Sequence, residues 1–124
     1  MANEITLNAT LAVSKDSFKT SFQPGTLRVT LTSEPAFSGV LAIGTSAESV
    51  TLTDISTAGY ACFRNLASTS STSYVELGVG TTSSPQMFVK LKPSEYAISR
   101  LASTVLIAKA TGAAVNLQTL ILSD

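Results

Sequence analysis

Apolar and polar residues alternate with a period of two along most of this 124-residue chain. The longest run spans residues 5–13, where Ile5, Leu7, Ala9, Leu11 and Val13 occupy every second position. Successive side chains of a strand point to opposite faces, so this pattern predicts a strand with one face buried. Shorter runs of the same kind occur at residues 27–32, 50–53, 74–79, 87–92 and 115–121.

Turn-forming residues separate these runs at intervals of about 8–12 residues. They include Gln23-Pro24-Gly25, Ser33-Glu34-Pro35, Lys92-Pro93-Ser94-Glu95 and Thr111-Gly112. Pro93 fixes φ at the second position of its turn, and we predict a type I turn there. Residues 95–102 could form two turns of helix, but Pro93 and the neighbouring alternation favour a strand or a short turn.

Many short strands joined by Gly and Pro turns predict an all-β protein. We predict a single antiparallel β-sandwich, jelly-roll-like, with about nine or ten short strands in one domain covering residues 1–124. An immunoglobulin fold is disfavoured, because the chain has no Trp and only one Cys. A chain of this length buries roughly two-thirds of its unfolded surface, so it needs no disulfide or metal to fold. We also expect both chain ends to be held by strand pairing or by a neighbour.

The chain has few of the side chains that carry chemistry. It contains no His, a single Cys, and 13% charged residues, where about 25% is usual. A nucleophilic Cys needs a basic partner such as His, and Cys62 is expected to be a small, buried, unreactive apolar residue on a strand over residues 60–66. The eight acidic residues are scattered over separate predicted strands. We therefore predict no enzyme activity, no catalytic residue, no cofactor and no metal site.

The charge balance limits the partners. The formal net charge is zero, whereas binding to nucleic acid or to an anionic membrane surface needs a basic excess. No apolar run approaches the roughly 20 residues of a membrane-spanning helix. The first residues lack the basic and apolar regions of a signal peptide. We expect a protein made in a cytoplasm, not secreted by a signal peptide, with no nucleic-acid or membrane partner.

Two aromatic residues fall on the polar side of their strands. Phe88 and Tyr74 lie opposite the apolar alternation, and Lys90 and Arg100 are candidates for a polar rim. Aromatic residues and Arg commonly anchor protein interfaces, so we predict that Phe88, Tyr74, Lys90 and Arg100 contribute to an interface. The charged residues of this region could instead form a solvated hairpin face. The remaining rings are expected in the core; these are Phe18, Phe22, Phe37, Tyr60, Phe63 and Tyr96.

The second half of the chain resembles small structural proteins of tailed bacteriophages. The resemblance rests on residues 59–66 (GYACFRNL), 73–79 (SYVELGV), 88–95 (FVKLKPSE) and the closing segments 108–110, 115–117 and 121–124. In that family, a strand ending in Arg/Asn-Leu precedes a Ser/Thr-rich turn and a Tyr-Val-Glu strand, and a Leu-Lys-Pro-Gly-Glu hairpin follows. Ser94 stands where Gly is usual in that hairpin.

The resemblance implies a β-sandwich component of a virion. The favoured function is capsid decoration, in which the protein binds the outer shell and stabilises contacts between major capsid subunits. The implied partners are the major capsid protein or other virion proteins, together with further copies of this chain, most often as a trimer. One alternative is a minor tail or head–tail junction protein. Another is a carbohydrate-binding module, which predicts a cluster of exposed aromatics or a metal site.

Overall fold

The computed structural model describes residues 3–31, 36–50, 52 and 55–124. This part of the chain forms twelve β-strands, all paired antiparallel, and contains no helix. The all-β prediction is confirmed, although the strands are more numerous than the nine or ten expected. The predicted turn at Ser33-Glu34-Pro35 lies outside the described residues, as do Thr32, Thr51 and Thr53 of two predicted strands. In the described segments, no helix is long and apolar enough to cross a membrane.

The chain divides into two compact units, Met1–Thr32 and Ser33–Asp124. The eight strands of the sandwich belong to the second unit, and the first unit contains four short strands. The assignment of residues 1–124 to one domain stays a prediction.

The first unit consists of two antiparallel strand pairs, β1 with β4 and β2 with β3. Its strands are β1 (Ile5–Asn8), β2 (Leu11–Lys15), β3 (Phe18–Phe22) and β4 (Thr26–Val29). The alternating run at residues 5–13 is therefore interrupted at Ala9 and Thr10. The prediction of a buried face is wrong for β2, because all five of its residues are exposed. Asp16 begins the turn between β2 and β3 and has a φ of 52°, a backbone region that Asp tolerates better than most residues.

The second unit contains two four-stranded sheets. Their strands, in chain order, are β5 (Ala36–Ile43), β6 (Glu48–Val50), β7 (Ala58–Asn65), β8 (Tyr74–Gly80), β9 (Pro85–Leu91), β10 (Tyr96–Arg100), β11 (Leu106–Thr111) and β12 (Val115–Ser123). One sheet has the order β10-β7-β12-β5 and the other has the order β6-β11-β8-β9. Residues Tyr96–Arg100 form a strand. This agrees with the expectation of a strand or short turn, rather than a helix, over residues 95–102.

The pairing of these eight strands is that of a jelly roll. The first strand of the unit pairs with the last, the second with the seventh, the third with the sixth, and the fourth with the fifth. A long antiparallel hairpin that folds over on itself produces this nesting, and its two layers become the two sheets of the sandwich. The strand order therefore confirms the predicted jelly-roll form.

The core lies between the two sheets. Inward positions on β7, β8, β11 and β12 are almost fully buried, and each sheet contributes to one apolar cluster. Its most buried members include Phe63, Val75, Leu77, Leu117 and Ile121. On β12 burial alternates strictly from Val115 to Leu120, as the sequence pattern predicts.

Buried Asn65 joins three segments at one end of the sandwich. Its side-chain amide donates to the Leu91 carbonyl oxygen at 3.0 Å, and its Oδ1 accepts from the Ala67 backbone N–H at 2.8 Å. Its backbone N–H donates to the Glu95 carbonyl at 2.9 Å, and its carbonyl accepts from Ser94 N–H at 3.0 Å. This residue therefore holds the turn between β9 and β10 against the end of β7.

That turn differs from the predicted type. The Glu95 N–H donates to the Lys92 carbonyl at 3.0 Å, which closes a four-residue turn. Ser94, the third residue, has a φ of 68°. A type I turn has negative φ at this position, while a type II turn requires positive φ there. The type I prediction is wrong, and Ser94 adopts the conformation that Gly would adopt without strain.

Candidate interaction surfaces

Phe88 lies on an edge strand at an irregularity in strand pairing. Leu77 of β8 pairs with Val89, but the next residue, Gly78, pairs with Met87. Phe88 is therefore the extra residue of a β-bulge in β9, and its side chain is 71% exposed. Bulges at sheet edges commonly redirect a side chain.

Gly78 makes this bulge possible. A Cβ at residue 78 would lie 2.1 Å from the Gln86 carbonyl oxygen and 2.7 Å from the Met87 Cα. Both atoms belong to backbone and cannot rotate out of the way as a side chain could. The close approach of β9 to β8 beneath Phe88 therefore requires glycine at this position.

Tyr74 and Lys90 contact each other on the outer face of the same sheet. The Lys90 Nζ lies 3.9 Å from the centroid of the Tyr74 ring, a cation–π distance. Lys90 is also opposite Glu76 across the strand pair, and it stands two positions along β9 from Phe88. We call Tyr74, Phe88 and Lys90 the edge patch.

Arg100 does not belong to the edge patch. It lies on β10, an edge strand of the other sheet, where its guanidinium carbon is 4.7 Å from the centroid of the Tyr60 ring. Its Nη1 donates to Asp124 Oδ2 in an ion pair. The hydrogen bond to Tyr60 and the negative charge of Asp124 raise the pKa of Arg100 above its ordinary value. The structure thus brings Tyr74 and Lys90 into contact, places Phe88 two positions from Lys90 on the same strand, and separates Arg100 from all three.

A second exposed surface lies on the outside of the β10-β7-β12-β5 sheet. Ile98 of β10 is opposite Cys62 of β7, and Cys62 is opposite Leu120 of β12. Tyr96 and Val40 lie beside this row, with 65% and 57% of their side chains exposed, and the register places Arg64 and Gln118 between them. We call Val40, Cys62, Tyr96, Ile98 and Leu120 the sheet face.

Cys62 is not the buried core residue that was predicted. It is half-buried on the outer side of β7, while its neighbours Ala61 and Phe63 point into the core. Partial burial raises the pKa of its thiol. The prediction placed Cys62 in the core because free Cys is usually buried, but alternation gives a strand residue the opposite face from both neighbours.

A third apolar surface is found in the first unit. The register of β2 and β3 pairs Leu11 with Phe22, Val13 with Thr20, and Lys15 with Phe18. Leu11, Val13, Phe18 and Phe22 therefore share one side of the hairpin, and we call them the hairpin face. Their exposed fractions are 72%, 41%, 62% and 65%.

The expectation that the remaining aromatic rings lie in the core is wrong for four of the six. Phe63 is buried and Phe37 packs against the core, but Phe18, Phe22 and Tyr96 are largely exposed. Tyr60 lies on the outer side of β7 beneath Arg100. The alternation of β10, with Ala97 directed inwards, was the signal that could have placed Tyr96 and Ile98 outside.

An open cleft of about 250 Å³ lies beside the edge strands β5 and β6. The carboxylate of Glu48 is among its lining groups, and its Oε1 accepts a hydrogen bond from the Gly44 N–H at 3.1 Å. The remaining lining residues are Phe37, Leu41, Ala42, Ile43, Ser49 and Val50. A single carboxylate already bound to backbone does not form an acid–base pair, which needs two titratable groups.

Across the described residues, no three Cys, Asp or Glu side chains converge as a possible metal site. The features that stand out are therefore exposed apolar surfaces. Comparison of the chain with protein-family models, curated proteins and solved structures finds no match.

Proposed function

We propose that this protein is a structural component of a bacteriophage virion, and that it acts as a capsid decoration protein. In this role it binds the outer shell and stabilises contacts between neighbouring major capsid subunits. Its action is mechanical rather than catalytic: copies attached across subunit boundaries add buried area to contacts that would otherwise separate.

The edge patch is the observation that carries this proposal. Phe88 exposes 71% of its side chain on an edge strand, and the bulge that positions it depends on Gly78. Exposing a large ring costs hydrophobic free energy that burial against a partner would recover, at about 25 cal/mol per Å². Aromatic anchors surrounded by polar groups are typical of interface centres, and the Lys90–Tyr74 pair supplies such groups beside Phe88.

The fold and the resemblance support the same role. Double-sheet jelly rolls occur in viral capsid domains, and also in lectins and cupins, so the architecture by itself favours several functions. The resemblance to phage structural proteins, which rests on segments between residues 59 and 124, favours the virion among them. The exposed rings Phe88 and Tyr96 lie on different sheets, while Phe18 and Phe22 share one side of the β2–β3 hairpin, so the carbohydrate-binding alternative stays a prediction.

The first experiment measures the copy number of this chain in purified particles by quantitative mass spectrometry. Hundreds of copies, and density for the chain on the shell, would support decoration. A few to a few dozen copies would favour the alternative, a minor tail or head–tail junction protein.

The second experiment replaces the proposed anchor. Phe88→Ser is expected to leave the isolated protein folded and to weaken its binding to particles by about 30-fold, which corresponds to about 2 kcal/mol for an interface anchor. Gln86→Ser, on the same strand, is the matched control and should bind like the parent. Unchanged particle binding by Phe88→Ser would contradict the proposal. Outright unfolding would contradict it as well, because Phe88 would then be a core residue.

A further inference from the structure

We propose that two copies of this chain pair through β10, edge to edge and antiparallel, with a two-fold axis at Ile98. The β10-β7-β12-β5 sheets of the two copies then join into one continuous sheet. Each copy contributes the same surface to this contact, whereas a ring of three uses two different surfaces. The contact is therefore distinct from the trimer that the resemblance implies, and it does not depend on attachment to a capsid.

The backbone of β10 has three residues whose polar groups face the open edge of the sheet. The Leu101 N–H donates to the Gly59 carbonyl at 2.9 Å, and the Glu95 carbonyl accepts from the Asn65 N–H at 2.9 Å. In an antiparallel pair, residues that exchange hydrogen bonds with the neighbouring strand alternate with residues that do not. The odd-numbered residues of β10 therefore bond to β7, while the N–H and C=O groups of residues 96, 98 and 100 point away from it.

A two-fold axis at Ile98 brings these groups into register. Ile98 then lies opposite Ile98 of the second copy, and each Tyr96 lies opposite Arg100 of the other copy. Each of these three residue pairs exchanges two hydrogen bonds, as in any antiparallel ladder. The backbone groups that face the open edge in one copy are thus paired with the same groups of the other copy.

The side chains of the same three residues are complementary in this register. They share the outer face of the sheet, because Ala97 between them packs against the core. Tyr96 is 65% exposed and Ile98 is 42% exposed, and the side chain of Arg100 is 42% exposed. Pairing through β10 covers an apolar side chain with its own counterpart and places a cation beside an aromatic ring on each side of the axis.

The chain already makes this kind of contact within β10 and β7. Arg100 lies directly opposite Tyr60, and its guanidinium carbon is 4.7 Å from the centroid of that ring. In the dimer, Tyr96 of the second copy takes the equivalent position on the other side of Arg100. A charged residue on an edge strand opposes pairing with most other strands, but here it meets a ring that attracts it. A second copy is therefore the occupant that the local chemistry favours.

The positive charges near the axis do not oppose this arrangement. Arg64 lies opposite Tyr96 on β7, so the row across the joined sheet reads Arg64 and Tyr96, then Arg100 and Tyr60 of the second copy. The two arginines in this row are two strands apart, about 10 Å, which is about the Debye length at physiological salt. Each Arg100 is also paired with Asp124 of its own copy.

The other three edge strands of the sandwich are less suited to pairing with themselves. β9 contains a bulge, Pro85 and Lys90, which are features that protect an edge from pairing. β6 has only three residues. β5 has no charged or aromatic residue on its outer face, where Ala36, Ser38, Val40 and Ala42 lie, so self-pairing there offers no complementary contact.

Disulfide formation at the axis tests the contact directly. Residues 98 of the two copies form a hydrogen-bonded pair with Cα atoms about 5.5 Å apart, within the usual range for a disulfide. Ile98→Cys is made together with Cys62→Ser, because Cys62 lies opposite residue 98 in the same chain and would compete. Under a mild oxidant we expect a covalent dimer of twice 12.8 kDa. Val40→Cys in the same background, exposed on the opposite edge strand β5, is the matched control and should remain monomeric on a non-reducing gel.

A mixture of two variants tests the register. Tyr96→Cys and Arg100→Cys, each made with Cys62→Ser, should not crosslink separately, since each new thiol lies about 13 Å along the strands from its own counterpart. Mixed together, they should form a disulfide between residue 96 of one copy and residue 100 of the other. Failure of Ile98→Cys to crosslink beyond the Val40→Cys control would overturn the proposal. Equal crosslinking of the separate and the mixed variants would overturn it as well.

Sedimentation equilibrium over a range of dilutions measures the dimer without new cysteines. Tyr96→Ser should weaken dimerisation about tenfold, because two exposed cation–π contacts are lost in each dimer. Phe88→Ser, which removes an exposed ring from the other sheet, is the matched control and should dimerise like the parent. Circular dichroism verifies that both variants keep their strands.

A parent that stays monomeric at all concentrations, or a Tyr96→Ser variant that dimerises as tightly as the parent, would overturn the proposal. The outcome is independent of the capsid role, since Phe88→Ser is expected to lose particle binding and to keep the dimer.

Discussion

Asn65→Leu is expected to destabilise the jelly roll strongly, because it removes two side-chain hydrogen bonds from a residue with no exposed surface. Leucine has a similar size but can neither donate to Leu91 nor accept from Ala67. The Leu91 carbonyl belongs to a buried residue, and leaving such a group unsatisfied costs about 1–3 kcal/mol. Ala67 is half-buried, so water can replace part of its bond, and the loss there is about 1 kcal/mol.

The sum is about 3 kcal/mol of unfolding free energy. For a domain of 60–100 residues each kcal/mol shifts the melting temperature by about 4–8 °C, so the expected fall is about 12–24 °C. Differential scanning calorimetry and urea unfolding followed by circular dichroism measure it. The matched control is Asn116→Leu, the same change at an exposed position of β12, which should alter stability by no more than about 0.5 kcal/mol.

Asn65→Asp separates hydrogen bonding from packing. The carboxylate keeps an acceptor for Ala67 N–H but places a negative charge against the Leu91 carbonyl oxygen. That environment raises the pKa of the new carboxyl group, so the acid form is favoured in the folded state and can donate to Leu91. The variant should therefore be more stable at mildly acidic pH than at neutral pH, relative to the parent. A melting temperature of Asn65→Leu within a few degrees of the parent would refute this account of Asn65.

Two further changes test the local geometry. Ser94→Gly should raise the free energy of unfolding by about 0.5–1 kcal/mol, because glycine adopts the positive φ of this turn without the strain of a side chain; a lower urea midpoint would contradict the type II assignment. Gly78→Ala should cost at least about 1–3 kcal/mol and displace Phe88, since the new Cβ meets backbone of β9. Gly44→Ala is the matched control for it, with no atom within 4 Å of the added Cβ. A Gly78→Ala melting curve that matches this control would show that β9 is free to move away from β8.

Local sequence patterns were sufficient for the class of fold. Alternation identifies most of the strands, because a strand residue needs only its own polarity and that of its neighbours to indicate its face. The burial of Leu117 and Ile121 on β12 and the exposure of Phe88 follow from this rule. The residues of a turn were a less reliable guide to its conformation. Pro93 located its turn, but the sign of φ at Ser94 depends on hydrogen bonds between the turn and Asn65, which lies on the distant strand β7. The turn at Asp16 contains neither Gly nor Pro, and it was not among the predicted turns.

The sequence could not predict which residues meet on the candidate surfaces, because their positions depend on pairing between distant strands. Arg100 and Phe88 lie close in the chain, yet the turn between them carries them to different sheets. The bulge at Phe88 arises from a register shift against β8, which the pattern of β9 alone does not contain.

By itself, the sequence determined that this chain folds as antiparallel strands with apolar residues on one side of each. Alternation is a property of neighbouring residues, and it fixes which side of a strand is apolar. It does not determine whether anything covers that side. The same pattern predicted a buried face for β2 and for β12, but the tertiary structure covers only β12, because four paired strands and an opposing sheet enclose it. The apolar side of β2 is left exposed, since burial depends on which distant strands pack together.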